Sequence, residues 1–179
     1  MDPRDPFRAQ ARYNRWMNAR LYATAALLSD EERGRDLGAF FRSVHGTLNH
    51  LVLTDRYWLR RFTGDPRLYK SRDAEGRTIE IRGLDQILYE DFADLSRERA
   101  RTDADIVTWV EGLTPEALME PMRYRTSAGV EYAHPRWPAL AHFFNHQTHH
   151  RGQVTALLTR LGKDPGVTDM IAFLRDEGF

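Results

Sequence analysis

Residues 63–83 read TGDPRLYKSRDAEGRTIEIRG and separate two long helical patterns in the sequence. The stretch contains three glycines and one proline, and only residues 78–81 alternate as a strand would. Its twenty-odd residues exceed the usual connection between two helices of a bundle. At ~3.3 Å per extended residue it can reach roughly 65 Å, more than the roughly 40 Å of the helix before it. The chain can therefore return to the start of that helix before the next one begins.

Helical patterns lie on both sides of this stretch. Apolar residues recur every three or four positions over residues 6–28, 36–62, 84–113 and 137–161. This spacing predicts four helices, each with one apolar face. Because each apolar face must be buried against another element, the prediction is an all-α, four-helix bundle.

The connections predict the topology. Ser29 and Glu32 have the spacing of a capping box in a short turn, which makes the first two helices antiparallel neighbours. The long crossover over residues 63–83 makes the second and third helices parallel, so the order is up, down, down, up. Residues 122–125 and 130–133, around Ser127 and Gly129, predict a small hairpin before the fourth helix.

Length and charge limit the class of protein. With 179 residues, the chain corresponds to about 1.2 typical domains, so we expect one domain over residues 1–179. Twenty-six basic residues balance twenty-six acidic ones, and a neutral chain lacks the field that attracts nucleic acid or an anionic membrane. The longest uncharged run, residues 137–150, is too short to span a bilayer. The N-terminus has no pattern of a signal peptide, so we expect a cytoplasmic protein.

Several kinds of site are excluded. The sequence has no cysteine, so disulfides and a protein thiol nucleophile are impossible. No serine lies in a Gly-x-Ser-x-Gly motif, and no phosphate-binding glycine loop occurs. The Glu-x-x-His spacing of di-iron bundles occurs only at Glu131 and His134, in the predicted hairpin. The arginine stripe of the first helix, Arg8, Arg12 and Arg15, is typical of a solvated helix face.

The histidines are the informative feature. Five of the seven, His45, His50, His142, His146 and His150, fall on the second and fourth predicted helices, with His149 beside the last and only His134 in a loop. On the fourth helix three of them are four residues apart and therefore share one side of it. Two imidazoles with this spacing can chelate a zinc, nickel, copper or iron ion, and His50 or His45 of a facing helix would add a third ligand.

Three segments carry a family resemblance. Residues 47–50 (TLNH) are followed by Trp58, residues 145–153 read NHQTHHRGQ, and residues 13–18 read YNRWMN. Together they resemble the DinB (DinB/YfiT-like) family of metal-dependent enzymes, which is distinct from the translesion polymerase of the same name. The resemblance covers nearly the whole chain. It implies an up, down, down, up bundle and a metal held by His50, His146 and His150.

The resemblance gives the remaining histidines other roles. It implies that His142 lines or supports the site, that His149 is a packing or interface residue, and that His45 is not a ligand. Ligating imidazoles usually donate their second N–H to an acceptor, and the sequence leaves four candidates open: Asn49, Asp91, Asp103 and Gln153. We expect Arg151 on a helix surface or dimer interface, and Gly152 where two helices approach closely.

The predicted function is that of a metal-dependent enzyme acting on a small-molecule substrate. The ion is zinc or nickel, and no catalytic side chain is identified beyond a metal-bound water or thiolate. The resemblance favours a low-molecular-weight thiol as cosubstrate, in an S-transferase or isomerase. The alternatives are a hydrolase using metal-bound hydroxide and a non-catalytic metal-binding stress-response protein. The resemblance and the many aromatic residues of the first and fourth helices also predict a homodimer.

Overall fold

The structure, a computed structural model, describes residues 2–65, 67–126 and 129–178. Within these residues, no helix combines the length and apolar character needed to cross a membrane. The elements in chain order are α1 (Asp5–Ala25), α2 (Asp30–Gly34), α3 (Val44–Thr63), α4 (Phe92–Glu111), a 3-10 turn (Glu116–Leu118), β1 (Pro121–Arg125), β2 (Glu131–Pro135), α5 (Arg136–Arg160) and α6 (Met170–Asp176).

The two helices that flank the crossover run parallel, as predicted. Asp55, in the middle of α3, pairs with Arg99 in the middle of α4. Further along both helices, the ring of Phe62 stacks on Trp109 with centroids 4.8 Å apart. Later residues of α3 therefore contact later residues of α4, and the crossover has returned the chain to the same end of the bundle.

The other two long helices run in the opposite direction. Early residues of α1 contact late residues of α4, and later residues of α3 contact earlier residues of α5. The contacts are Arg8–Glu111 and Tyr22–Phe92 for the first pair, and His50–His150 and Trp58–His142 for the second. The predicted up, down, down, up bundle is confirmed. One prediction was wrong: the first two long helices, α1 and α3, are not neighbours. Each of them packs against α4 and α5, so α1 and α3 lie diagonally across the bundle from each other.

The second long helix begins later than predicted, at Val44 rather than at residue 36. The hydroxyl of Ser43 accepts a hydrogen bond from the N–H of Gly46 and caps the new start. Residues 37–43 turn back over the helix instead of extending it. A side chain at Gly46 would collide with the carbonyl oxygen of Phe41, so the glycine permits this close approach. The turn places Phe41 against the histidines described below.

The third long helix also begins later, at Phe92 rather than at residue 84, with Asp91 as its N-cap. Residues 84–91 have no regular secondary structure and run along α3; we call them the strap. Asn49 of α3 holds the strap, because its Oδ1 accepts the N–H groups of Leu88 and Tyr89 at 2.9 and 3.0 Å. Its Nδ2 donates to the carbonyl of Tyr89 at 3.2 Å. Tertiary hydrogen bonds thus override the helical period here.

The predicted hairpin and capping box are both present. Strands β1 and β2 pair antiparallel, although the predicted turn residue Ser127 lies outside the described residues. Ser29 and Glu32 form a reciprocal capping box, which begins the short helix α2. Helix α6 was not predicted. Its Phe173 packs on the rings of Tyr13 and Trp16 of α1, with centroids 5.9 and 5.6 Å apart.

A layer of buried polar residues crosses the middle of the bundle, between two apolar clusters. Arg99 of α4 is at its centre and is 2% exposed. Its guanidinium binds Asp55 at 2.7 Å and Asp103 at 2.9 Å. The amides of Asn14 and Asn18 also donate to Asp103, at 3.1 and 2.9 Å. The layer joins α1, α3 and α4 by hydrogen bonds whose geometry permits only one register of the three helices.

Candidate metal centre

Three imidazoles from two helices meet at one point. His50 lies on α3, and His146 and His150 lie one turn apart on the antiparallel α5. The Nε2 of His146 is 3.4 Å from the Nε2 of His50 and 3.1 Å from the Nε2 of His150. All three potential ligand atoms lie within 4.8 Å of one another. The structure thus brings together the three residues that the sequence analysis selected.

These distances fit a small divalent ion. Zinc bound by histidine has Zn–N distances of about 2.0–2.1 Å, so two nitrogen ligands of a tetrahedral ion are ~3.3 Å apart. The two Nε2 separations, 3.4 and 3.1 Å, are close to that value. Three nitrogens leave one or more coordination positions of the ion for another ligand, as catalytic zinc sites require.

The outer nitrogens of two of the rings have acceptors. Nδ1 of His50 is 2.7 Å from the carbonyl oxygen of Leu84 in the strap. Nδ1 of His150 is 2.7 Å from Oε1 of Gln153. Because an oxygen of this kind only accepts, Nδ1 carries the proton in both rings, and each neutral ring has its lone pair on Nε2. Two lone pairs therefore point at Nε2 of His146, which has at most one proton to share.

The rings are neutral at physiological pH. Burial lowers the pKa of His50 to about 4, and it lowers the pKa of His146 to about 3, with the nearby His150 and His50 adding to the effect. Burial also lowers the pKa of His150, although the hydrogen bond that its ring donates to Gln153 opposes this effect. Neutral imidazole is the form that binds metal, and the Nε2 atoms of His50 and His150 already have free lone pairs for an ion.

Of the four acceptor candidates in the sequence, one contacts a site histidine directly. Gln153 accepts from His150, whereas Asp91 caps α4 and Asp103 belongs to the polar layer. Asn49 contacts no site histidine through its side chain, but it holds the strap, and the strap supplies the carbonyl of Leu84 that accepts from His50. That carbonyl was missed by the sequence analysis, since a backbone oxygen has no residue signature.

Aromatic rings cover the site. Phe41 stacks on His50 with centroids 3.8 Å apart and planes 20° apart, and its edge faces His150 at 5.5 Å. The exposed His142 lies 5.9 Å from His146 and 5.3 Å from Trp58 on the other side. Phe41 thus shields one side of the imidazoles from water, while His142 lines the side that leads towards β1.

Known proteins resemble this chain in sequence and in fold. A sequence model of the DinB family matches residues 5–177. The chain belongs to the DinB family. It is 23% identical over 162 residues to Protein DinB of Bacillus subtilis (strain 168), and the similarity covers 90% of this chain and 90% of that protein. It also shares its fold with the crystal structure of a DinB-like protein from Bacillus cereus ATCC 10987, at a TM-score of 0.59 and 18% identity, over 84% of this chain and 90% of that one.

The remaining histidines of this DinB-family chain stand apart from the three. His149 is exposed, lies 3.3 Å from the side-chain nitrogen of Gln153 and contacts His150 edge-on. His45 bonds to the carbonyl of Tyr89 at 2.9 Å. His134, on β2, contacts the hydroxyl of Tyr124. None of them belongs to the three-histidine group.

Two predictions about α5 were wrong. Arg151 is buried at 4% exposure, where it binds the side chain of Asn14 and lies over the ring of Tyr13 at 5.3 Å. It is a part of the polar layer, not a surface or interface residue within this chain. Gly152 is exposed, and no atom outside its own helix lies within 4 Å of the position that a side chain would take. Gly152 therefore serves no close approach between helices within the part of this chain that the structure describes.

The hydrogen bond to Gln153 gives a first prediction. We expect Gln153→Leu to weaken zinc binding by about 10–100-fold, because the ring of His150 loses the acceptor that orients it. Gln153→Glu keeps an acceptor and should retain the affinity. Competition with a chromophoric chelator measures both, and Asn145→Ala, an exposed change on the same helix, is the control. Equal affinity in the Leu and Glu variants would contradict this role.

Proposed function

We propose that this chain is a metal-dependent enzyme in which His50, His146 and His150 hold one zinc or nickel ion. The observation that carries the proposal is the convergence of neutral imidazoles on one point. With two Nε2 lone pairs directed at His146, a single proton on its Nε2 satisfies only one of the contacts of 3.4 and 3.1 Å, whereas a cation among the rings satisfies both. Membership of the DinB family supports the same assignment.

We further propose that the nucleophile is a small external thiol, in an S-transferase or isomerase reaction. A bound divalent ion lowers the pKa of a thiol or water that reaches it. The chain has no cysteine, so any thiol must come from outside. Phe41 excludes water beside His50 and His150, while Leu84 and Gln153 keep both rings in the ligating tautomer.

Two measurements, made one after the other, test the proposal. Elemental analysis of untagged protein prepared without chelator should give close to one zinc or nickel ion per chain. The loaded protein should then consume an electrophile only when a thiol is added. Ester or amide cleavage without thiol, rising with pH, would instead identify a hydrolase. Full metal occupancy with neither reaction across a broad panel would favour a non-catalytic metal-binding protein.

A homodimer remains a prediction on a narrower basis. Tyr13 and Trp16 of α1, which suggested an uncovered aromatic surface, are covered by Phe173 of the same chain. The family resemblance is the support that remains. Light scattering at micromolar concentration should give about 42 kDa, twice the 20.9 kDa of one chain. A value of about 21 kDa would contradict the dimer.

A further inference from the structure

An arginine-rich groove lies between the second half of α3 and strand β1, about three helical turns along α3 from His50. Its volume is about 440 Å³. Besides Gly64, six side chains line it: Tyr57, Arg60, Arg61, Arg123, Tyr124 and Arg125. We call it the arginine groove. The proposed function assigns it no role.

A chain of ring contacts links the arginine groove to the histidine cluster. Arg61 follows His50 by eleven residues, which turns it only about 20° around α3, at a rise of about 16 Å. Side chains on a helix lean towards its N-terminus, so the guanidinium of Arg61 extends back in the direction of His50. It lies 4.9 Å from the ring of Trp58, which contacts His142, and His142 in turn contacts His146.

Three of the four positive charges in the groove have no acidic partner among the residues that the structure describes. Arg125 pairs with Glu131 at 2.5 Å. Among the described residues, Arg60, Arg61 and Arg123 have no carboxylate within ion-pair distance. Many arginines elsewhere on the surface do, for example Arg77 with Asp73 and Arg97 with Asp94. Burial also lowers the pKa of Arg60, which means that its guanidinium is partly removed from water without a counter-charge.

Arg61 is held in place by aromatic rings rather than by an acid. Its guanidinium lies 4.3 Å from the ring of Tyr57 and 4.8 Å from that of Tyr124. One nitrogen, Nη2, donates to the hydroxyl of Tyr57 and to the carbonyl of Arg125, both at 3.1 Å. Nε and Nη1 have no acceptor among the residues that the structure describes. The guanidinium is therefore pre-organised, with donors available to a ligand.

We propose that the arginine groove binds the carboxylate of a planar organic anion. Guanidinium donors match the two oxygens of a carboxylate, and the side chains of Tyr57 and Tyr124 line the groove with apolar surface for an unsaturated or aromatic body. This inference rests on the proposed function, in which the anion would be the substrate. Its carboxylate would bind Arg61, and its reactive end would be directed towards the metal centre. The substrate class is thus an electrophilic organic acid.

The groove can be tested without any metal. We would titrate metal-free, ¹⁵N-labelled protein with 4-methylbenzoate and with the neutral 4-methylbenzamide. The carboxylate should shift the amide signals of residues 57–61 and 122–125, and the amide should not. Arg61→Gln and Arg123→Gln should each weaken benzoate binding by about tenfold or more, while Arg35→Gln, which removes an exposed arginine of α2's C-cap, should not. Arg123 is exposed, so its variant tests the groove even if Arg61→Gln does not fold.

Several results would overturn the inference. Equal shifts with the benzamide would show that the charge of the ligand is irrelevant. Tighter binding of inorganic phosphate would show that the ligand is a phosphate compound rather than an organic acid. Tighter binding of an oligothymidylate would show that it is single-stranded nucleic acid. Failure of the metal proposal leaves this titration unaffected. With cobalt at full occupancy, the protons of benzoate should relax faster than with zinc, and no difference would overturn the assignment of the anion as substrate.

Discussion

Replacing His146 with alanine is expected to leave the protein without a bound ion. His146 supplies the nitrogen that lies between the other two, at 3.4 and 3.1 Å. Four-ligand zinc sites bind with about 10–16 kcal/mol, which is roughly 3 kcal/mol for each ligand and more than a hundredfold in Kd. Elemental analysis after purification should therefore find essentially no zinc or nickel. His50→Ala and His150→Ala should behave in the same way.

The control for this prediction is His134→Ala. His134 lies on β2 and bonds to the hydroxyl of Tyr124, so its loss should leave the ion in place. Circular dichroism should show unchanged helix content in all four variants, because the bundle is held by its core and its polar layer. Equal metal occupancy in the four variants would refute the ligand assignment.

Replacing Arg99 with leucine is expected to cost about 3–5 kcal/mol of the free energy of unfolding. The change leaves the carboxylates of Asp55 and Asp103 buried, at 1% and 3% exposure, without the cation that both of them contact. Breaking a buried pair in this way is far costlier than losing an exposed one. Urea unfolding at pH 7 measures the difference.

The matched control is Arg97→Leu on the same helix. Arg97 pairs with Asp94 at 2.6 Å, but its side chain is 64% exposed, so we expect a much smaller change in the free energy of unfolding. A loss in Arg99→Leu no larger than in this control would contradict the importance of the polar layer.

The pH dependence of the unfolding free energy of the Arg99→Leu variant should show whether the buried carboxylates cause its loss of stability. Burial raises the pKa of Asp103 to about 6, against the opposing effect of Arg99, and it also raises the pKa of Asp55. Without Arg99 both values rise further. A carboxyl group whose pKa is higher in the folded state binds more protons there, so lowering the pH favours folding. The deficit relative to the wild type should therefore narrow between pH 7 and pH 5, and a constant deficit would argue against buried carboxylates as its source.

The sequence predicted what local patterns determine. Apolar spacing gave the four long helices, and the length of residues 63–83 gave the parallel middle pair. The capping box of Ser29 and Glu32 depends on two residues three apart, and it is present. The i, i+4 spacing placed His146 and His150 on one side of α5. Each of these features is determined by residues that are close to one another along the chain.

The sequence did not predict features that depend on distant contacts. Residues 37–41 keep a helical period, yet Phe41 is used to cover His50, so the helix starts only after Ser43. The strap keeps an apolar pattern too, but the side chain of Asn49 binds its backbone. Arg151 has the charge of a surface residue and is buried, because Asn14 on another helix supplies an acceptor.

The separation of the histidines along the chain couples an ion to the whole fold. His50 and His146 are 96 residues apart, and they meet only once α3 and α5 have packed together. An unfolded chain offers no such arrangement, so an ion that occupies it acts as a removable cross-link selective for the native state. By linkage, a free ion at a hundred times its Kd would add about 2.7 kcal/mol to the folding free energy. A chelator would then act as a mild denaturant, and cellular metal supply would set how long each copy of the protein survives.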